Sequence, residues 1–244
     1  MKTKIFAHRG ASGDRPENTK VAFKKAIEDK ADGVEFDVHL TKDEEIVVIH
    51  DSKVDRVSNG KGYVNDLTLS EIKELNIDSE VFSNQKILTL QETLQIVKEF
   101  DLINIEIKSK KRSESYQAIE NKVISEVNSM GLIDKVIISS FNHYSLKLIK
   151  EINKNIKTAL LYSAGIYKPW IYGEIVGVDA IHPYYQAINK EIVKRCHANG
   201  IFVNPFGTNN EDQLLKLFRM KVDGVIVDYP KKVKKLKVEN DGKC

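Results

Sequence analysis

Residues Gly33–Leu40, which read GVEFDVHL, decide the fold. Apolar side chains alternate in this stretch with polar ones, which is the two-residue period of a β-strand whose two faces differ. Residues Leu102–Lys108, which read LINIEIK, repeat the pattern. The acids Glu35, Asp37 and Glu106 therefore lie on the polar faces of two predicted strands, and the apolar residues that alternate with them lie on the opposite faces.

Strand and helix patterns alternate along the rest of the chain. The apolar, mostly β-branched runs are Ile5–His8, Gly33–Leu40, Ile46–His50, Ile103–Lys108, Val136–Ser140, Thr158–Tyr162, Ala180–Tyr184, Ile201–Asn204 and Gly224–Asp228. The helical patterns between them are Asn18–Lys30, Thr89–Glu99, Ser115–Met130, Tyr144–Ile152, Lys190–Asn199 and Glu211–Met220. This alternation predicts the α/β class, with a parallel sheet and helices outside it. About eight such units in 244 residues favour a closed TIM (β/α)8 barrel over an open sheet.

Two segments depart from the alternation. Gly33–Leu40 and Ile46–His50 are separated only by Thr41–Glu45, which is too short for a crossover helix, so we expect the two strands to pair as a hairpin. Residues 51–86 contain turn residues and a short helical pattern near Ser70–Leu75, and they are predicted to form a small insertion above the barrel. Because no repeat or linker divides the sequence, residues 1–244 are predicted to be a single domain.

The composition excludes several classes of protein. Lys and Arg number 38 against 35 Asp and Glu, which gives a formal net charge of +3. A nucleic-acid-binding protein usually has a concentrated basic field, so nucleic acid is not an expected partner. No apolar run approaches the roughly 18 to 20 residues that cross a bilayer, so membrane insertion is not expected either. The sequence predicts no oligomeric state.

The predicted location is the cytoplasm. Residues Met1–His8 contain no long apolar region before charge returns, so no secretory signal is visible. A secreted form whose signal has been removed stays open as the alternative. Cys196 lies in a helical pattern and Cys244 is the last residue, which indicates a reducing compartment and no disulfide between them.

Three carboxylates converge inside the predicted barrel if the apolar strand faces pack against the helices. Buried like charges repel one another and take up protons unless a cation neutralises them. Ligand sets made only of oxygen are typical of Mg²⁺ or Ca²⁺, so we predict one divalent cation of either kind on Glu35, Asp37 and Glu106. For a single strand, a polar face turned to solvent is the better interpretation. Two such strands in a parallel sheet reverse that preference.

Two histidines and two cations are expected at the same rim of the barrel. His8 and His50 each follow a predicted strand, and although a histidine there is usually structural, these two share a rim with the acids. Arg9 and Lys108 are cations suited to the oxygens of a phosphate. Two imidazoles, a hard metal ion and two cations suit phosphoryl transfer with acid and base catalysis.

The motifs that carry these residues resemble those of a known family. They are His8-Arg9-Gly10, Pro16-Glu17-Asn18-Thr19, Glu35-Phe36-Asp37-Val38, Thr41-Lys42-Asp43, His50-Asp51, Ile105-Glu106-Ile107-Lys108, Ser139-Ser140-Phe141 and Asp223-Gly224-Val225-Ile226-Val227-Asp228-Tyr229-Pro230. In this order, over nearly the whole chain, the set resembles the glycerophosphodiester phosphodiesterases. The first motif alone is weak, but the ordered set is specific. Members of that family have a TIM barrel with a small insertion after the His-Asp pair, where residues 51–86 lie here.

The resemblance implies a small-molecule substrate, a glycerophosphodiester, which is hydrolysed to glycerol 3-phosphate and an alcohol. Carried over residue by residue, the family's metal ligands correspond to Glu35, Asp37 and Glu106, and its paired histidines to His8 and His50. We expect the first histidine to be the general base and the second the general acid. Whether the base activates water or a neighbouring hydroxyl of the substrate, with formation of a cyclic phosphate, is left open.

The resemblance also assigns substrate-binding positions. Arg9 and Lys108 correspond to residues that contact the phosphate. Phe206 stands where the family often has a tryptophan at the glycerol end of the pocket, so an apolar ring remains but an N–H donor is lost. Glycerol specificity is therefore less secure than hydrolysis.

Several side chains have two interpretations. Glu17 and Asn18 either organise the loop after the first strand or mark a helix start that Asn18 caps, with equal weight. His143 and His197 lie in helical patterns and are expected at the surface. His182 ends a strand, and a place in the pocket and a structural role have equal weight.

Two other functions compete with the expected one. One is a related barrel enzyme that acts on lysophospholipid or phosphoinositol substrates. Long-chain substrates would need an apolar entrance, for which the insertion with Val81 and Phe82 is a candidate. A phosphodiester-binding module without catalysis is disfavoured, because each expected catalytic position is filled.

Overall fold

A computed structural model describes residues 3–77, 81–109 and 118–241. Its strands are β1 (Lys4–His8), β2 (Gly33–Leu40), β3 (Ile46–Val48), β4 (Leu88–Thr89), β5 (Leu102–Ile107), β6 (Val136–Ser140), β7 (Lys157–Tyr162), β8 (Ala180–Pro183), β9 (Phe202–Val203) and β10 (Gly224–Val227). Its helices are α1 (Lys20–Glu28), α2 (Leu69–Glu74), α3 (Leu90–Val97), α4 (Ala118–Ser129), α5 (His143–Ile152), α6 (Pro169–Val176), α7 (Lys190–Ala198), α8 (Glu211–Met220) and α9 (Pro230–Asp241).

The parallel strands form a closed barrel. Their order is β10-β1-β2-β5-β6-β7-β8-β9, and each neighbouring pair in it is parallel. Phe206, just after β9, bridges in parallel to Tyr184 on one side and to Ile226 of β10 on the other. The backbone N–H of Ile226 in β10 also donates to the carbonyl of Pro205, just after β9, at 3.0 Å. This contact joins the two ends of the strand order and closes the barrel. The predicted TIM barrel is confirmed.

The register of β2 and β5 places the acids together. Asp37 is paired with Glu106. Because side chains alternate along a strand, Glu35 shares their inward face and Phe36 faces outward. There the Phe36 ring meets Phe23 of α1 edge to face, with ring centroids 5.8 Å apart, and both rings are fully buried. The apolar faces therefore pack against helices, as the alternation predicts.

The expected hairpin is present. Val38, His39 and Leu40 pair in antiparallel fashion with β3, and β4 continues the ribbon beyond β3. A second small core, separate from the barrel core, joins the insertion to β3 and to the residue before β4. Its buried members are Val47, Ile49, Val54, Val64, Ile72, Ile77 and Ile87. The extent of the domain, 1–244 with 51–86 as an insertion, stays a prediction.

Helix α6 has no counterpart among the predicted helical patterns. Its segment is apolar on several sides, and Ile171 and Ile175 are 43% and 67% exposed, so it lacks the single apolar stripe by which an amphipathic helix is recognised. Pro169 at its first turn and the left-handed Gly177 at its end delimit it instead.

The structure describes one of the two cysteines. Cys196 is a buried free thiol in α7, whereas Cys244 lies outside the described residues, so the predicted absence of a disulfide between them stays a prediction. Residues 115–117 of the predicted helix Ser115–Met130 also lie outside the described residues. Within the described ranges, none of the helices has the length and apolar character needed to span a bilayer.

Candidate active site

Three buried carboxylates form the centre of the site at the carboxyl end of the barrel. Oxygens of Glu35, Asp37 and Glu106 lie within 4.8 Å of one another. The ammonium of Lys108 is 2.6 Å from Glu106 Oε1 and 3.0 Å from Asp37 Oδ1. Arg9 Nε is 3.4 Å from Asp37 Oδ2 on the other side. The predicted ligand set and both predicted phosphate-binding cations are thus gathered at one place.

The charges of this cluster do not balance. Burial and the neighbouring charge of Asp37 raise the pKa of Glu35 to about 8. Burial also raises the pKa of Glu106, although Lys108 opposes the shift. Burial would raise the pKa of Asp37 as well, but Lys108 and Arg9 outweigh it and keep that carboxyl ionised. Three buried acids with all-oxygen donors and a carboxyl of raised pKa fit a hard divalent cation, which would remove their repulsion.

The loop after β1 supports the cluster from its edge. Asn18 Nδ2 donates to Asp37 Oδ2 at 3.0 Å, and the backbone N–H of Arg9 donates to Glu35 Oε2 at 3.0 Å. The cap of α1 is Thr19, whose hydroxyl accepts from the N–H of Ala22. Of the two interpretations of Asn18, the one in which it caps the helix is therefore wrong. The Asn18 side chain donates to Asp37 of the acidic cluster instead, and Thr19, the next residue, is a good N-cap.

His8 is oriented by an acid from the opposite end of the chain. Its Nδ1 lies 2.6 Å from Asp228 Oδ1, and because a carboxylate only accepts, Nδ1 is the protonated nitrogen. The other nitrogen, Nε2, lies 3.9 Å from Glu35 Oε2 at the cluster. Asp228 is held in turn by Asn209, whose Nδ2 donates to its Oδ2 at 2.6 Å. Sequence reasoning assigned no role to Asp228, although it lies in one of the quoted motifs.

His50 has the same arrangement with its neighbour in sequence. Its Nδ1 lies 2.6 Å from Asp51 Oδ1. The carbonyl of His50 lies 3.1 Å from Nε2 of His39, which holds the backbone at this point. Asp51 and His39 are further members of the site, to which the sequence analysis assigned no role. Adjacency of Asp51 to the histidine was the available signal.

The two imidazoles differ in their electrostatic surroundings. Burial would lower the pKa of His8, but its hydrogen bond to Asp228 and the charge of Glu35 raise it above the usual range. Burial lowers the pKa of His50, and Lys108 adds to that shift. Because the charge of Glu35 contributes to the shift at His8, a cation bound beside Glu35 would lower the His8 pKa.

Phe206 lies among aromatic side chains at the same end of the barrel. Its ring meets Phe141 edge to face at 6.1 Å and Tyr184 at 5.9 Å between centroids. Its backbone belongs to the barrel closure described above. The position as a wall of the glycerol pocket stays a prediction.

The other histidines divide into three cases. His143 is half-buried, with Nε2 at 2.9 Å from the carbonyl of Leu161 and Nδ1 at 3.0 Å from the hydroxyl of Tyr172, so it is more enclosed than the sequence predicts. His197 is exposed as predicted. His182 is fully buried and accepts from Asn204, and burial lowers its pKa to about 3, so it is neutral.

Comparison with known proteins agrees with this geometry. The model of the glycerophosphoryl diester phosphodiesterase family matches residues 8–232. A glycerophosphodiester phosphodiesterase of Caldanaerobacter subterraneus subsp. tengcongensis is 43% identical over 234 residues, 94% of this chain and 96% of that protein.

Two solved structures are also similar. A glycerophosphodiester phosphodiesterase of Thermotoga maritima matches with a TM-score of 0.79 at 31% identity, over 97% of this chain and 99% of that one. A phosphodiesterase of Oleispira antarctica, solved in complex with the product sn-glycerol-3-phosphate, matches with a TM-score of 0.84 at 26% identity, over 96% of each chain. The chain therefore belongs to the glycerophosphoryl diester phosphodiesterase family, and the enzyme class that its sequence predicts is confirmed.

Proposed function

We propose that this protein hydrolyses a glycerophosphodiester to glycerol 3-phosphate and an alcohol, with His8 and His50 as the groups that move protons. The observation that carries the proposal is the pairing of each imidazole with its own carboxylate at one acidic cluster. A carboxylate on Nδ1 fixes the tautomer and leaves Nε2 free for proton transfer.

Glu35, Asp37 and Glu106 are the residues that would hold one divalent cation, Mg²⁺ or Ca²⁺. When bound, such an ion supplies positive charge for a phosphate oxygen and for the charge that develops at phosphorus. Lys108 and Arg9 lie at the same carboxylates and provide further donors for the non-bridging oxygens. Burial acts to lower the pKa of Lys108, but Asp37 and Glu106 raise it, so its ammonium stays charged.

The proton transfers balance between the two histidines. Nε2 of His8 accepts a proton from the attacking oxygen, which forms a bond to phosphorus. The bond from phosphorus to the alcohol oxygen breaks, and that oxygen takes a proton from Nε2 of His50, which enters the step as an imidazolium with both ring nitrogens protonated. The attacking oxygen belongs to water or to the neighbouring hydroxyl of glycerol, and in the second case water then opens the cyclic phosphate.

A metal-restoration assay tests the proposal. Metal-stripped protein is incubated with glycerophosphocholine, glycerophosphoinositol and lysophosphatidylcholine, with Mg²⁺ or Ca²⁺ restored in turn, and glycerol 3-phosphate and the alcohol are quantified. We expect release of glycerol 3-phosphate from the glycerophosphodiesters only with a cation. Preferred cleavage of lysophosphatidylcholine would instead assign the protein to the lysophospholipid class, and tight binding without turnover would make it a binding module.

A further inference from the structure

The insertion provides one guanidinium group that contacts two carboxylates of the site. Arg56 Nε donates to Asp51 Oδ2 at 2.6 Å. Its Nη1 and Nη2 donate to the two oxygens of Glu17 at 2.9 and 2.7 Å. The planar fork of an arginine is thus fully used on this side, with a bidentate contact to one acid and a single contact to the other.

The two carboxylates belong to different parts of the active site. Asp51 accepts from Nδ1 of His50. Glu17 lies in the loop after β1 and accepts from Nη1 of Arg9 at 3.0 Å. A continuous series of hydrogen bonds therefore runs from His50 through Asp51, Arg56 and Glu17 to Arg9.

Folding stability is a weak explanation for this arrangement. The side chain of Arg56 is 49% exposed. Ion pairs at such exposed positions contribute little to the free energy of unfolding. Hydrogen bonds to a planar fork are directional, however, and they fix the rotation of the carboxylates that accept them. The bond from Arg56 also lowers the pKa of Asp51 to about 2, so this carboxylate stays an acceptor for the imidazole.

We propose that Arg56 is a positioning residue, which holds the Asp51 carboxylate against Nδ1 of His50 and thereby aims Nε2 at the leaving oxygen. Glu17 is the anchor, because its bidentate contact fixes the plane of the guanidinium. The inference rests on the proposed role of His50 as general acid. Without Arg56, Asp51 is free to rotate, and His50 loses the orientation that protonation of an alkoxide requires.

Two substrates that differ only in the leaving group test this inference. Glycerophosphocholine needs a proton on its departing oxygen, whereas the p-nitrophenyl diester of glycerol 3-phosphate does not. With saturating cation, we expect R56Q to lose about 10- to 100-fold in kcat on the first substrate, the same range as for the loss of a residue that orients a metal ligand. On the second substrate we expect a loss below about 3-fold.

The matched control is K53M. Lys53 lies in the same insertion, with Nζ 4.7 Å from the centre of the Tyr63 ring, and its replacement also removes one positive charge. We expect K53M to retain wild-type kcat on both substrates. Should R56Q fail to fold, R56K carries the same test, because an ammonium keeps the charge but cannot donate to both carboxylates in the plane of the fork.

A double variant separates the route through Asp51 from other effects. If Arg56 acts through Asp51, R56Q/D51N is no slower than D51N alone. Additive losses, equal losses on both substrates, or no loss with R56Q would each overturn the inference. The H50A variant separates the proposed role of His50 from that of Arg56. If H50A itself fails to discriminate between the substrates, the acid role of His50 is wrong. If H50A discriminates and R56Q does not, only the role of Arg56 is wrong.

Discussion

His8 and Asp228 lie 220 residues apart in sequence, and Nδ1 of the first is 2.6 Å from Oδ1 of the second. The contact exists because β1 and β10 are neighbours in the closed barrel, paired from Lys4 with Gly224 to Ala7 with Val227. His8 ends the first strand and Asp228 follows the last. Closure of the barrel therefore brings together an imidazole and the carboxylate that orients it.

The first prediction concerns this pair. Asp228→Asn should lower kcat by roughly 100-fold on both alkyl and aryl diesters, because a neutral amide stabilises the imidazolium less than a carboxylate does. Steady-state kinetics with both substrates measures the effect. Asp223→Asn is the control. Asp223 lies just before β10, at the end of the strand opposite to Asp228, and pairs with His197 at 2.8 Å, away from the acidic cluster. Its turnover should stay within about 3-fold of wild type.

The second prediction concerns the metal ligands. Glu35→Gln or Glu106→Gln should weaken cation binding and abolish activity while the fold persists, because each change removes a ligand together with a repelling charge. Calorimetric titration with Mg²⁺ and Ca²⁺ and circular dichroism measure the two effects. The exposed Glu28→Gln on α1 should change neither. Full activity of the wild type in excess chelator would contradict a metal-dependent reaction.

A third prediction follows from the pKa of Glu35, which burial raises from 4.5 to about 8. A carboxyl of raised pKa stabilises the folded protein while it is protonated, and this contribution is lost as the pH rises. Metal-stripped protein should therefore lose stability between about pH 4.5 and 8. Thermal unfolding should show a shallower pH dependence for Glu35→Gln, with a Tm higher by about 5 °C at pH 8.

Addition of cation is the check on that result. It should raise the Tm of the wild type more at pH 8 than at pH 5, because proton and cation compete for the same carboxylates. Equal pH profiles for the wild type and Glu35→Gln would show that this group does not titrate in the folded protein.

The fourth prediction assigns the histidines. His50→Ala should lose far more activity on glycerophosphocholine than on a p-nitrophenyl diester, by about 100-fold in the ratio of kcat values, because only the alkoxide needs an acid. His8→Ala lacks the base and should lose comparably on both. A reversed pattern would exchange the two roles. If neither variant discriminates, the histidines bind phosphate and transfer no proton.

The fifth prediction concerns Phe206. If its ring is a wall of the glycerol pocket, Phe206→Ala should raise KM for glycerophosphodiesters by about 10-fold, with less effect on an aryl diester that lacks glycerol. Phe206→Tyr keeps the ring and should stay near wild type. Equal loss on both substrates, together with a lower Tm, would mean that the contacts to Phe141 and Tyr184 matter for folding and not for the substrate.

The local sequence pattern was sufficient to predict the barrel and the three carboxylates at the centre of its site. Alternation along Gly33–Leu40 and Leu102–Ile107 predicts which side chains face inward, because side-chain direction in a strand has a strict two-residue period. The acids Glu35, Asp37 and Glu106 could therefore be assigned to one place from the sequence alone. Helix α6 could not be predicted in the same way, because its apolar residues do not lie on a single face of the helix.

The groups that orient the proposed catalytic side chains could be identified only from the tertiary structure. Asp228 reaches His8 only after the last strand pairs with the first, and Arg56 reaches Glu17 only because the insertion folds back over the loop after β1. No sequence period encodes such contacts, because they join residues from separate elements whose distance in space is set by closure of the sheet. The sequence thus determined which side chains are candidates for the chemistry, and the tertiary structure decided which of their neighbours hold them in place.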